Sequence, residues 1–432
     1  MKKFIHNIIA KYIGDSSFKR NIFVMTIGRV ISQVIPVLIT PLLTRIYSPE
    51  EFGILGVYMA IVSFLAMLSN GRYTHAIVLP KEKEKAQNLV FFSSFLTIIF
   101  TLFVFFLLLF LQDQFFSVFN IEPIKKYFPI LILNILFLGL YEPLFVYELR
   151  MKKYKKLATN VIIQSLALII VRIVLGYLGY TDLGLILSYL VGYLVSFLLL
   201  VYKIDLKLNF SKLKEDTKSL MKKYINFPKF TLLSDSLVTL STSLPNILLN
   251  SLFGSDSAGH FALSEKVLGS PIWFVTSSVG DVFRQEASEL YRKGKDLRKL
   301  FVKTTKSMFK LGVIPFLLIF LFVPPLIPFI LGEVWEPVGS YIRIFSIMYF
   351  SSFVVNPVSN MVYIIKKEKY GVLFQGLKLL SILVGLLLGF YYKNIELGLI
   401  IWSVLLTISN ILIYGILYKI IDIKRIERQQ ED

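Results

Sequence analysis

We single out eight charged side chains within the long hydrophobic stretches of this chain. The basic ones are Arg29, Arg172, Lys266, Arg343 and Lys378, and the acidic ones are Glu142, Asp235 and Glu265. A charge at the centre of a bilayer costs about 2.5–3.5 kcal/mol on insertion scales, so such residues usually serve a function. Basic groups in a cavity of low dielectric bind anions through charge-assisted hydrogen bonds. We therefore predict that the basic set lines a cavity and binds an anionic substrate. The acidic set is predicted to act in gating or in ion coupling.

Three of the basic residues have an alternative explanation. Arg172, Lys266 and Arg343 lie within about two helical turns of the predicted external ends of their helices, so their side chains can instead snorkel to the interface. Arg29 and Lys378 lie two turns in from the other end, where snorkelling is harder. The prediction of a cavity position is therefore best founded for these two.

The residues that most enzymes use for chemistry are scarce. The chain has no cysteine and only three histidines, at positions 6, 75 and 260. It also lacks a phosphate-binding Gly-x-x-x-x-Gly-Lys-Ser/Thr loop, which argues against direct ATP hydrolysis. We expect a protein that is not an enzyme and needs no cofactor. Export of an anion from a negative-inside cell gains about 2.3 kcal/mol per charge per 100 mV. Cation antiport through Asp235 or Glu265 is the alternative source of energy.

The elements that carry these charges are predicted to be membrane-spanning helices. Of the 432 residues 55% are hydrophobic and 17% are charged, against about 25% charged in soluble domains. Twelve apolar segments are near the ~20 residues needed to cross a bilayer. They cover residues 21–46, 53–71, 88–111, 128–147, 159–178, 184–202, 229–252, 260–282, 308–331, 341–364, 370–391 and 397–418. The sequence therefore predicts an all-α, polytopic membrane protein.

Basic residues are sorted strongly between the two sets of connections. With Lys229 and Lys310 counted at the ends of their helices, one set, which includes both termini, carries 38 of the 47 Lys and Arg residues, and the other set, which includes Arg45, carries four. By the positive-inside rule this bias places both termini in the cytoplasm and requires an even number of spans. The net charge of +19 therefore reflects cytoplasmic connections and does not indicate nucleic-acid binding.

A short motif occurs twice. Residues Tyr47 to Gly53 and Phe253 to Gly259 have the same aromatic-to-glycine spacing and lie 206 residues apart. Six spans per copy give two parallel halves related by an axis along the membrane normal. The predicted parts are a cytoplasmic amphipathic lead (1–20), an N-lobe with spans 1–6 (21–204), a cytoplasmic linker (205–228), a C-lobe with spans 7–12 (229–418) and a cytoplasmic tail (419–432).

The repeat also relates two of the charged residues. The 206-residue offset places Asp235 on Arg29. Polar or kinking residues then follow at matching positions along one face of the first and the seventh span, and such a face normally points inward. We predict that Arg29 and Asp235 pair across the two lobes when the cytoplasmic side is closed. The alternative is that each pairs within its own lobe.

Several segments resemble a known family. Residues 41–53, Arg72-Tyr73 with 76–81 and 86–89, and residues 226–230 with Gly269 and 285–291 are similar to signatures of Wzx-type bacterial polysaccharide flippases. These proteins belong to the multidrug/oligosaccharidyl-lipid/polysaccharide (MOP) exporter superfamily, whose two six-helix lobes rock around a central cavity. The chain departs from the family at Thr74, where an acidic residue is often found.

The resemblance implies a function. A flippase of this type moves undecaprenyl-diphosphate-linked oligosaccharide from the cytoplasmic to the outer leaflet of the bacterial inner membrane. The product serves O-antigen, lipopolysaccharide or capsule synthesis, and polymerase and chain-length proteins of the same pathway are the implied partners, with membrane lipid around the chain. The basic set would bind the diphosphate.

Three other classes of membrane protein are alternatives to this interpretation. A multidrug cation antiporter would share the fold but usually has a more acidic cavity. A membrane polymerase, ligase or acyltransferase would need a polar catalytic cluster and generally a large external loop, whereas the external connections here are short. A purely structural membrane protein would have no need of charges within its spans.

Overall fold

The chain folds entirely into helices in the part that the structure covers. The computed structural model describes residues 17–206, 219–365 and 367–431, and no strand occurs among them. Hydrocarbon offers no hydrogen-bond partners, so a spanning segment must satisfy its backbone internally, as a helix does. The prediction of an all-α, polytopic protein is confirmed. The predicted lead and linker fall mostly outside the described residues, at 1–16 and 207–218.

Contacts between Cα atoms divide the chain into two compact units. The first, unit 1, comprises Met1–Tyr47 and Val57–Leu240, and the second, unit 2, comprises Ser48–Gly56 and Ser241–Asp432. The helices α1 to α8, of which α3 and α8 cross the boundary, are Ser17–Leu38, Thr40–Leu43, Pro49–Ser69, Lys83–Val118, Phe128–Arg150, Tyr154–Tyr177, Thr181–Val201 and Leu232–Phe253. The helices of unit 2 that follow, α9 to α15, are Ser255–Ser264, Ser270–Arg292, Arg298–Leu331, Glu336–Ser359, Met361–Ile364, Glu368–Tyr391 and Ile395–Glu431.

Eleven helices in the described ranges are long and apolar enough to cross a membrane. The predicted eighth span, 260–282, is the one that falls short. The chain is helical there, because α9 and α10 are joined by a π-helical turn at Glu265–Gly269. Its serines, threonines and charged residues lower its hydropathy below that of a typical span. About twelve spans is consistent with this arrangement.

The outward faces of several helices are strongly apolar. Phe110 on α4 and Phe329 on α11 are 83% and 86% exposed, as expected for side chains that meet lipid. Small residues instead mark close helix crossings, since they let two backbones approach. Gly28 of α1 lies against Ala158 of α6, and a Cβ at Gly28 would stand 2.6 Å from the Ala158 Cβ.

The two copies of the repeated motif contact each other within unit 2. A Cβ on Gly53 would lie 1.8 Å from the backbone oxygen of Ser255, and a Cβ on Gly259 would lie 1.8 Å from that of Pro49. Ser255 and Gly259 follow Pro49 and Gly53 by the same 206 residues. The contact is therefore reciprocal, and the crossing of α3 and α9 has room for glycine at both positions and for nothing larger.

Candidate functional site

A strained turn after α3 aims the guanidinium of Arg72 into unit 1. Gly71 and Arg72 both adopt left-handed backbone conformations, with φ of 58° and 59°. For a residue with a Cβ, this conformation costs on the order of 1–2 kcal/mol. The side-chain oxygen of Asn70 accepts a hydrogen bond of 2.9 Å from the backbone N–H of Arg72 and stabilises the turn. The strain is retained where the side chain has a specific task.

Arg72 joins the two predicted acidic residues Glu142 and Asp235. Its Nη1 lies 2.9 Å from Glu142 Oε1 and its Nε lies 2.8 Å from Asp235 Oδ2. Asn70 donates a further hydrogen bond of 2.6 Å from Nδ2 to Glu142 Oε2. Arg72 is 15% exposed and the two carboxylates are about twice as exposed. One cation thus connects the turn after α3 with α5 and with the first turn of α8.

His75 completes this group of residues, which we call the Arg72 cluster. Its Nε2 lies 3.4 Å from Asp235 Oδ2, and its ring stacks on Phe227 at 6.2 Å between centroids. With a neutral His75, one guanidinium faces two carboxylates, and the cluster carries one net negative charge. A proton on His75, or any other added cation, would balance it.

Tyr73, next to Arg72, holds the turn in place. It is buried, and its hydroxyl donates to the backbone oxygen of Met221 at 3.4 Å. Burial raises the pKa of Tyr73, so the phenol stays neutral. Thr74 is buried as well, at 1% exposure. An acidic side chain at position 74 would therefore be enclosed.

Arg172 is enclosed between α6 and α7. It is 4% exposed, its Nε donates to Ser188 Oγ at 2.9 Å, and its guanidinium carbon lies 4.8 Å from the centre of the Tyr189 ring. Its Nη2 has no hydrogen-bond partner among the described residues. Both named partners are neutral. The side chain therefore lies inside unit 1 and does not snorkel along its surface.

Lys378 is held by neutral groups in unit 2. Its Nζ donates to Asn356 Oδ1 at 3.5 Å. Beside it is a small polar cavity of 50 Å³ whose lining includes Ser359, Gln375 and Asn410. Such a volume holds a water molecule with several partners. Lys378 is half-buried and lines this cavity together with Gly371 and Gln375 of the same helix.

The other predicted site residues lie outside the Arg72 cluster and are not among the partners described above for Arg172 and Lys378. Arg29 is exposed on α1. Arg343 of α12 is exposed, with its guanidinium 6.0 Å from the Phe320 ring. Glu265 and Lys266 are half-buried in the π-helical turn, where Glu265 makes a side-chain hydrogen bond with Asn246. Such a turn widens the helix and often marks a functional position.

The structure pairs Asp235 with Arg72, a residue that the charge pattern of the spans did not select. Arg72 lies in a connection, outside the spans that were searched for charges, and its Arg-Tyr motif served only as a family signature. His75 lies in the same connection and was missed for the same reason. Asn70 lies within the predicted span 53–71 but is uncharged, so a search for charged residues did not select it. The pairing of Asp235 with Arg29 in another conformation stays a prediction. No group of His, Asp and Glu suited to a metal ion occurs among residues 17–206, 219–365 and 367–431.

The helices and their buried charges define a multi-pass membrane protein with a transporter fold. The chain is similar to an inward-facing multidrug resistance MATE family transporter of the MOP superfamily, with a TM-score of 0.62, 15% identity and 98% of each chain covered. An outward-facing MATE transporter of the MOP superfamily gives a TM-score of 0.56 at 16% identity, covering 94% and 95%. A mutant of the Vibrio cholerae MATE transporter VcmN gives a TM-score of 0.59 at 15% identity, covering 93% and 95%.

The family of the protein is shown by a match of its sequence to a family model. The model of a polysaccharide biosynthesis protein family matches residues 42–340, well over half of the chain. The protein belongs to this polysaccharide biosynthesis family, and it has the fold of MOP-superfamily transporters. No curated protein matches the chain.

Proposed function

We propose that the protein flips polyprenyl-diphosphate-linked oligosaccharide from the cytoplasmic to the outer leaflet of a bacterial inner membrane. Membership in a polysaccharide biosynthesis family supports a saccharide-bearing substrate. The observation that carries the proposal is that the buried Arg172 and the half-buried Lys378 are basic residues whose described hydrogen-bond partners are neutral. A cation without a nearby counter-ion in low dielectric attracts an anion strongly. Each unit thus offers a positive charge to a diphosphate.

The remaining charged residues have proposed roles in the same transport cycle. Arg29, Lys266 and Arg343 would add to the basic surface that meets the diphosphate. Glu142, Asp235 and Glu265 would act in gating or in ion coupling. In the Arg72 cluster, a substrate diphosphate would compete with Glu142 and Asp235 for the guanidinium. Binding of substrate would then release the ties between α3, α5 and α8 and favour the change to the outward-open state.

The proposal is tested by a transport assay in proteoliposomes. A polyprenyl-diphosphate glycan placed in the inner leaflet would become accessible to a membrane-impermeant lectin as it is flipped. Arg172→Gln and Lys378→Gln should each reduce the initial rate at least tenfold, since each removes a charge that meets the diphosphate. The conservative variants Arg172→Lys and Lys378→Arg keep the charge and should retain most of the rate. Equal rates in all four variants would contradict the proposal.

A cation-coupled multidrug exporter is the second candidate. The observation in its favour is the net negative Arg72 cluster, which could take up a proton or another cation. In the same proteoliposomes an exporter of this kind would move a cationic dye against a proton or sodium gradient. Dye transport without glycan flipping would establish this candidate in place of the first.

A further inference from the structure

An open groove of 680 Å³ lies in unit 2 between the first turns of α11 and the last part of α15. It is lined by Asp296, Arg298, Lys299, Val302, Lys303, Lys306, Ser307, Lys310 and Tyr418. Five of these nine side chains are basic and one is acidic. We call it the basic groove. It belongs to none of the sites described above.

Four lysines form one continuous stripe along the groove. Lys299, Lys303, Lys306 and Lys310 follow one another at intervals of four, three and four residues, which places them on one face of α11. All four are exposed. Like charges at this spacing repel each other and destabilise a helix. The repulsion between these lysines therefore destabilises α11, and a bound anion would remove that repulsion.

The described side chains do not supply that anion. None of the four lysines of the stripe forms an ion pair with a carboxylate among the side chains that the structure describes, which on α15 end at residue 421. Asp296 accepts a hydrogen bond of 2.8 Å at Oδ1 from the backbone N–H of Arg298. Lysines near the helix ends of unit 1, in contrast, do have carboxylate partners. Lys83 pairs with Asp205, and Lys153 and Lys156 pair with Glu148 at 3.1 and 2.8 Å.

The floor of the groove is aromatic and holds one cation in place. The guanidinium of Arg298 lies 4.5 Å from the centre of the Tyr418 ring and donates to its hydroxyl. Below it, Phe301 stacks on Tyr414 at 5.2 Å between centroids. Arg298 is thus fixed at the start of α11, where the backbone N–H groups of a helix also favour an anion. Stripe and floor together give a preformed basic surface.

The far end of the stripe continues into a lipid-facing surface. Lys310 lies about 18 Å along α11 from Arg298, at 1.5 Å per residue. Directly around and beyond it, Phe309, Leu311 and Ile314 are 51%, 59% and 66% exposed. A free phosphate would contact only the lysines of the stripe. A molecule with a phosphate and an acyl or prenyl chain would contact both the lysines and the exposed apolar side chains.

We propose that the basic groove binds the phosphate-bearing headgroup of a membrane lipid, with its apolar chains along the exposed face of α11. Basic clusters next to a membrane span attract anionic headgroups with about 1 kcal/mol per Lys or Arg, close to a fivefold change in affinity for each. The chemistry fits an anionic phospholipid and a polyprenyl diphosphate alike. The site is independent of the proposed transport reaction, since binding can be measured without it.

The test is lipid binding to the purified full-length chain in nanodiscs of phosphatidylcholine. Two probes are titrated separately, fluorescent phosphatidylglycerol and undecaprenyl diphosphate. Neutralising Lys303, Lys306 and Lys310 together by Gln should weaken at least one of them about a hundredfold. The matched control replaces Arg292, Lys293 and Lys295 by Gln. It removes the same charge from the last residue of α10 and the connection that follows, outside the lining of the groove, and should change affinity by less than about threefold.

The pattern of losses identifies the lipid. A loss for phosphatidylglycerol alone assigns the groove to bulk anionic lipid, and a loss for undecaprenyl diphosphate alone assigns it to the proposed substrate. Unchanged binding of both probes, or an equal loss in the control, would overturn the proposal. If the triple variant does not fold, the single variant Lys306→Gln should weaken binding about fivefold, and Lys306→Arg should retain it. Equal affinities of these two would also overturn it.

Discussion

At the scale of residues, the Arg72 cluster shows how one guanidinium can hold three segments of unit 1. Arg72 donates a hydrogen bond to Glu142 on α5 and forms an ion pair with Asp235 at the start of α8, and its own backbone is strained. Removing one member of a partly buried ion pair is costly mainly because the other charges are left without a partner. Stability should therefore follow the balance of charge in the cluster more than any single contact.

Arg72→Gln should destabilise the protein by about 1–2 kcal/mol, a value reduced from that of fully buried pairs because the carboxylates are partly exposed. The triple variant that adds Glu142→Gln and Asp235→Asn removes the unpaired charges. It should recover much of the loss, as measured by thermal unfolding in detergent. Lys83→Gln, which breaks the exposed pair with Asp205, serves as the control and should have little effect. A triple variant less stable than Arg72→Gln would show that charge balance is not the cause.

The role of Arg72 could not be predicted from the sequence, although the charged residues within the spans could. Charges within spans could be found because hydropathy makes them conspicuous, as it did for Glu142 and Asp235. Arg72 pairs with both of these carboxylates, but its own position in a connection gave no such contrast. Its role depends on a left-handed turn and on contacts 70 and 163 residues away. Periodicity along a sequence carries no information on either.

At the scale of elements, the crossing of α3 and α9 rests on two glycines. The sequence repeat marked both positions but did not show that they touch, because a repeat gives equivalence and no distance. The structure places each glycine against the backbone of the other motif. The predicted span at 260–282 is instructive in the same way. The helical structure of this segment could be inferred from the sequence. Its polar residues, however, give it a lower hydropathy than the other eleven spans have.

Gly53→Ala and Gly259→Ala should each prevent the normal crossing, since a Cβ would stand 1.8 Å from a backbone oxygen. We expect a clear loss of folded protein by size-exclusion chromatography with a fluorescent fusion. Gly376→Ala is the matched control. A Cβ there meets no atom within 4 Å, and alanine is the better helix former by roughly 1 kcal/mol, so α14 should keep or gain stability. Normal yields of both crossing variants would show that the helices can separate without loss.

At the scale of the whole molecule, the absence of cysteine makes the topology directly measurable. Single cysteines can be introduced at Lys81 and Lys295 in basic connections and at Lys125 and Lys393 in the sparsely charged ones. By the positive-inside rule the first pair should be cytoplasmic and the second pair external. A membrane-impermeant maleimide should therefore label only the cysteines at 125 and 393 in intact cells. Labelling of 81 or 295 before the membrane is opened would contradict a topology with both termini in the cytoplasm.

The reciprocal glycine contact has a further consequence for how the chain holds together. Position 53 meets position 255 and position 259 meets position 49, which is the isologous pattern that two identical subunits make about a twofold axis. Here both partners belong to one polypeptide. Covalent linkage makes their association intramolecular, so it does not depend on the concentration of the protein. A contact within one chain can therefore hold without the large buried area that two separate subunits need in order to associate.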